Sequence, residues 1–223
     1  MWCIPPEGDA EFVCAMENVL EAYTRPYDPR RPLVCFDEKS KQLVGEVCQP
    51  IAARPGQVER CDYEYVRNGT ANLFMMVEPL AGRRYVTVTT RRTKVDFAGQ
   101  MKELVEVHHP DAEKITVVMD NLNTHRMSSL YEAFPPEEAR RLIDKIEVVH
   151  TPKHGSWLNM AECELSVLEK QALVGRVSDE AALRMQVGTW QADRNQRFKT
   201  IDWRFTTGDA RIRLKRLYPT VEP

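Results

Sequence analysis

Two short apolar runs that each end in an aspartate constrain this chain more than any other feature. Leu33-Val34-Cys35-Phe36 runs into Asp37-Glu38, and Ile115-Thr116-Val117-Val118-Met119 runs into Asp120. Near-continuous apolar runs of this length fit strands buried on both faces, as in a sheet covered by helices. In such sheets the ends of the strands meet at one edge, where sites collect. A carboxylate held there is costly unless it is paired or binds a cation, so two of them point to a divalent metal site. The competing reading is that acids end strands simply because turns favour Asp.

The rest of the chain supplies the elements around those strands. Asp9 to Tyr23 carries Phe12, Val13, Met16, Val19, Leu20 and Tyr23 at helical spacing behind an Asp9 cap. Three prolines between Thr24 and Pro32 make a stiff linker. Lys41 to Cys48 reads as a strand that pairs with its predecessor, and Gln49 to Gly69 as irregular. Asn72–Glu78 and Arg83–Thr90 form a hairpin across Pro79-Leu80-Ala81-Gly82. Lys94 to His108 is helical by period, as are His125 to Phe134, Pro136 to Ile143, Trp157 to Leu173, Ser178 to Asp193 and Gly208 to Leu217. Ile146 to His150 is a short strand. A meander followed by strands joined through helices is the order of an α/β ribonuclease H-like mixed sheet flanked by helices. The domain reading is an N-terminal helix and Pro-rich linker over 1–32, a core over 33–193 and a basic tail over 194–223.

A third acid lies on the helix after Thr151-Pro152-Lys153-His154-Gly155-Ser156. Leu158, Ala161, Leu165, Leu168 and Ala172 make its apolar stripe, and Glu162 borders that stripe one turn beyond Leu158. Glu164, two positions on, is rotated by roughly 200°, so the two acids cannot face the same ion. Three carboxylates without soft ligands suit Mg2+ or Mn2+, two ions in the arrangement used for phosphoryl transfer.

Phe36-Asp37-Glu38, Val118-Met119-Asp120-Asn121-Leu122-Asn123-Thr124-His125 and His154-Gly155-Ser156-Trp157-Leu158-Asn159-Met160-Ala161-Glu162 resemble the three acidic motifs of mariner-superfamily transposases, nearest to the bacterial insertion-sequence branch. Trp2-Cys3-Ile4-Pro5-Pro6 and Ile201-Asp202-Trp203-Arg204-Phe205-Thr206-Thr207 also look like that branch. The resemblance implies a DDE endonuclease that cleaves and joins DNA strands, with Asp37, Asp120 and Glu162 as catalytic metal ligands, acting on DNA as a homodimer. Full-length members carry helix-turn-helix modules ahead of this domain, and this chain starts after them. Sequence-tolerant DNA binding is therefore expected.

Other residues carry two readings each. Asn121 either orients a ligand or forms a turn. His125 either contacts DNA or caps the next helix. Lys153 and His154, in the loop before Glu162, are candidate phosphate contacts, as are Arg83, Arg84, Arg91, Arg92 and Lys94, which otherwise form a solvated cluster. Between Arg194 and Leu217, eight basic residues against Asp202 and Asp209 make +6, so the remainder carries −8 of the net −2. Arg211, Arg213, Lys215 and Arg216 in that tail are candidate DNA contacts. The adjacent His108 and His109 point apart and read as structural or surface residues. The six cysteines form no C-x-x-C pair and read as reduced packing residues, which disfavours a zinc or disulfide-stapled module. No membrane-length apolar run is present, and the expected location is the cytoplasm. The rival functions are another nuclease of the same fold and an inactive, domesticated DNA-binding module.

Overall fold

Asp9 opens helix α1 (Ala10–Thr24) as its sequence dictates, its side chain accepting the Phe12 N–H at 3.0 Å. This computed structural model describes residues 8–48, 51–58, 60 and 62–219, so the Trp2–Pro6 motif lies outside the described residues, as do Cys3 and Cys61. The sheet holds β1 (Leu33–Glu46), β2 (Tyr65–Glu78), β3 (Arg83–Thr89), β4 (Ile115–Met119) and β5 (Ile146–His150) in the order β3-β2-β1-β4-β5. The first three strands form an antiparallel meander, and β4 and β5 run parallel to β1. Between and after them come α2 (Lys94–Glu103), α3 (Ser129–Ala133), α4 (Pro136–Lys145), α5 (Met160–Gln171), α6 (Glu180–Gln196) and α7 (Thr207–Arg213).

Each face of the sheet carries its own core, which is why β1 and β4 lack a polar alternation. On one face Cys35, Leu73, Met75, Val77 and Val118 pack with Phe12, Met16, Val19 and Leu20 of α1, Leu165 and Leu168 of α5 and Leu183, Val187 and Trp190 of α6. On the other, Val34, Phe36, Phe74, Met76, Val117 and Met119 meet Phe97 and Met101 of α2, Leu130 of α3 and Ala139 and Leu142 of α4. The tail joins the first core through Ala210, Leu214 and Leu217, and the Asp9 N–H donates to the Leu217 carbonyl at 3.0 Å. α6 runs to Gln196, so the expected 193/194 boundary falls inside a helix.

Several expected elements shift for identifiable reasons. Lys41–Cys48 is no separate strand: β1 continues through Ser40 to Glu46, paired residue by residue with β2 from Cys35↔Val77 to Gln42↔Thr70. β2 starts at Tyr65, inside the segment expected to be irregular. α3 begins at Ser129 because the preceding turn folds His125 back onto Asp120. α5 begins at Met160, capped by Asn159, with a single tight turn over Ser156–Leu158 before it. The β2–β3 hairpin depends on Gly82, whose φ is +69° and where a Cβ would stand 2.7 Å from the Phe198 backbone.

Edge strand β3 is covered by α6. Gln191 Oε1 accepts the Val86 N–H at 2.6 Å, and Asn195 accepts from the Arg84 N–H and donates to its carbonyl, both at 2.8 Å. These amides satisfy backbone groups that would otherwise offer a pairing edge. Arg84, expected among the surface phosphate contacts, is instead fully buried: its Nε donates to Glu164 at 2.9 Å, and Arg194 binds the same carboxylate at 2.8 Å. Glu164 therefore ties β3 to α5 and α6.

Candidate active site

Strand alternation places Asp37 and Glu38 on opposite faces of the sheet edge, Asp37 with the α1/α5 side and Glu38 with the α2/α3 side. Asp120 follows β4, the parallel neighbour of β1. Asn159 brings in the third acid. Its carboxamide Nδ2 donates to the Phe36 carbonyl at 2.9 Å, while its Oδ1 caps the Ala161 N–H at 3.0 Å. That one side chain fastens the start of α5 to the residue before Asp37, and so brings Glu162, in the first turn of α5, near Asp37.

The electrostatics record the convergence. Burial pushes the Asp37 carboxyl up to about 7, against the stabilising Glu38 N–H bond of 2.8 Å, and the negative charges of Asp120, Glu162 and Glu38 push it further. Glu162 Oε2 is buried with no hydrogen-bond partner among the described residues. An orphaned carboxylate oxygen beside two other acids is a donor set suited to a hard cation. Among the described residues no three His, Cys, Asp or Glu side chains stand close enough to enclose one ion. The charges of Asp120 and Glu162 act on the Asp37 carboxyl without the three acids enclosing an ion.

Glu38 and His125 were not expected to belong together. The His125 imidazole, 1% exposed, binds Asp120 Oδ1 through Nδ1 at 2.5 Å and Glu38 Oε2 through Nε2. Burial pulls its pKa down, but the bonds to Asp120 and Glu38 outweigh that and raise it to about 9. Phe36 and Phe97 pack on the ring, with centroids 5.3 and 5.1 Å away. Neither Glu38 nor Asn159 carried a role in the sequence reading; the only sign was their place inside the acidic motifs.

Lys153 and His154 sit exposed in the loop before α5, and with Asp120, Asn121 and His150 they line a cleft of about 650 Å³. His154 has φ +64°, a left-handed conformation uncommon for a side chain other than Gly. Asn121 is exposed beside Asp120. A shallower groove of about 740 Å³ continues from His150 between α1 and β5, lined by Glu11, Glu21, Arg25 and Glu147 rather than by the three acids. Of the tail residues, Arg213, Lys215 and Arg216 are exposed, but Arg211 is held by Glu17 of α1 at 2.9 Å, with the Tyr218 hydroxyl on the same carboxylate at 2.8 Å. Its guanidinium serves the packing of α7 on α1. Arg92 approaches Glu38 at 3.6 Å, and Lys94 pairs with Glu132 at 2.7 Å.

A mixed β3-β2-β1-β4-β5 sheet, with helices on both faces, Asp37 within its first strand just past the pairing with β4 and Asp120 just after its fourth, defines an α/β ribonuclease H-like fold. Residues 32–184 match the DDE superfamily endonucleases, and the chain belongs to that family. Solved structures of the Mos1 mariner transposase share the fold. The paired-end complex with Mn superposes with a TM-score of 0.57 at 16% identity over 88% of this chain, and the strand transfer complex with 0.59 at 16% over 85%. The paired-end complex with Mg gives 0.59 at 14% over 99%. This chain spans 60%, 55% and 66% of those chains, respectively. No curated protein sequence matches. Among the described residues no helix is long and apolar enough to cross a membrane.

Proposed function

We propose that this chain is the catalytic domain of a mariner-superfamily transposase of the insertion-sequence branch, which cleaves and joins DNA strands in the cytoplasm as a homodimer on DNA. The observation that supports the reading is that Asp120, just after β4, and Glu162 of α5 lie close enough to Asp37 of β1 for their charges to raise its carboxyl, all within the family-matched residues. The buried, unpartnered Glu162 oxygen and the raised Asp37 carboxyl fit two Mg2+ or Mn2+ ions. The Mos1 structures with Mn and Mg support the same choice. Bound there, the metal supplies an activated attacking oxygen and charge neutralisation at the leaving oxygen. Lys153 and His154, on the rim of the cleft beside Asp120, are placed to hold a flanking phosphate, with Arg213, Lys215 and Arg216 as peripheral contacts. The catalytic unit we favour runs from Leu33 through α6, which ends at Gln196, with α1 and the tail packed against its core.

The test is Mn2+-supported nicking of duplex DNA. Asp37→Asn and Glu162→Gln each lower the rate by several orders of magnitude, as loss of a metal ligand does, while chelator silences the unmodified protein. Full activity in chelator would falsify the reading.

A further inference from the structure

Glu38 is a carboxylate on the apolar face of the sheet. Its side chain is 3% exposed and its strand neighbour Phe36 stacks on Phe74, with centroids 5.9 Å apart. Burying a charge there is costly, and the chain offsets it with one partner above all, the equally buried His125. The other nitrogen of that ring grips Asp120. A single imidazole thus clasps one acid within β1 and one just after β4, and the edge-on Phe36 ring and the tilted Phe97 ring leave it little freedom to rotate. Asp120 itself follows the last residue of β4, with 35% of its side chain exposed, and its only other side-chain contact among the described residues is a long 3.4 Å bond from the Leu122 N–H. Among the described residues nothing else fixes which way its carboxylate points.

We propose that Glu38 and His125 are a positioning pair: Glu38 anchors the imidazole, and the imidazole holds one oxygen of Asp120 so that the other is aimed at the metal edge shared with Asp37 and Glu162. The inference rests on the metal-site reading above. Glu38 takes no ion in this arrangement, since its carboxylate belongs to the opposite face and is engaged by His125 and approached by Arg92. Partners behind a metal ligand typically change metal affinity by 10- to 100-fold when removed.

The experiment measures Mn2+ affinity by isothermal titration calorimetry, alongside the metal-free thermal midpoint, for four proteins. These are the unmodified chain, Asp37→Asn, His125→Phe, and the double variant Glu38→Gln with His125→Phe. Phe keeps the ring packed between Phe36 and Phe97, and Gln removes the charge that the single variant strands, so the double variant recovers stability. The expected result is a loss of Mn2+ affinity of tenfold or more in both His125 variants, whatever their thermal midpoints, with nicking restored as Mn2+ is raised. A double variant that binds Mn2+ within twofold of the unmodified protein overturns the positioning role while leaving the metal site standing. An unmodified protein that binds no Mn2+, or an Asp37→Asn variant that binds it equally well, overturns the metal reading and the positioning role together.

Discussion

At the scale of single residues, the site holds protons where a solvated carboxylate would not. The Asp37 carboxyl lies at about 7 rather than 3.8, first because it is buried and then because Asp120, Glu162 and Glu38 crowd it. The folded state therefore binds the proton more tightly than the unfolded chain does. The stability from that proton is complete below about pH 4 and is lost as pH rises to about 7. His125, raised from 6.5 to about 9, adds a second loss between those values. In metal-free protein Asp37→Asn should raise the thermal midpoint at pH 8 and converge with the unmodified chain near pH 4. Mg2+ should recover the deficit of the unmodified protein at pH 8 and leave the variant little changed. Thermal scans across pH with and without Mg2+ test this, and a variant less stable than its parent at pH 8 without metal contradicts it.

At the scale of elements, the two acids of α5 separate into two duties. Glu162, in the first turn, lies close enough to Asp37 for its charge to act on it; Glu164 binds Arg84 of β3 and Arg194 of α6. The rotation between them was legible in the sequence, but the partners of Glu164 were not, because they come from positions 80 residues before and 30 after it. Glu164→Gln leaves the buried Arg84 guanidinium and the half-buried Arg194 guanidinium facing a neutral amide. Breaking a buried pair costs about 3 kcal/mol or more, which for a domain of this size lowers the thermal midpoint by about 10 °C. Calorimetry reads that loss. Nicking by the folded fraction should stay within about tenfold of the unmodified protein, and a drop as deep as that of Glu162→Gln at unchanged stability would reverse the two assignments.

For the whole molecule, the basic tail is divided between packing and contact. Arg211, though 62% exposed, is paired with Glu17, which also takes the Tyr218 hydroxyl, whereas Arg213, Lys215 and Arg216 are exposed on the tail. Each phosphate contact removed lowers the salt slope of DNA binding by about one. Changing Arg213, Lys215 and Arg216 together to Gln should therefore flatten the slope by up to about three. Arg211→Gln alone should leave the slope nearly unchanged and lower the thermal midpoint. Fluorescence anisotropy on random duplex across a salt series measures the slopes, and an equal flattening by Arg211→Gln would show that the Glu17 pair opens on DNA.

What the sequence marked by itself is most of the strands, the order in which they follow one another and three candidate acids. Those signals are local: an apolar run ending in Asp, a helical period with Glu162 at its border, a proline-rich break. The tertiary structure decided everything that depends on partners distant in the chain. Lys41–Glu46 extends β1 because β2 continues to pair with it, not because of any turn or break in its own residues. Arg84 is buried because α5 brings it a carboxylate and the loop after α6 a carbonyl, although its sequence context is that of a surface cluster. Asn159 looks like an ordinary helix cap until the Phe36 carbonyl is found on its other end. Glu38 and His125, 87 positions apart, become one unit only when β1 and β4 lie side by side, since a hydrogen bond between side chains leaves no periodicity in the sequence that encodes it.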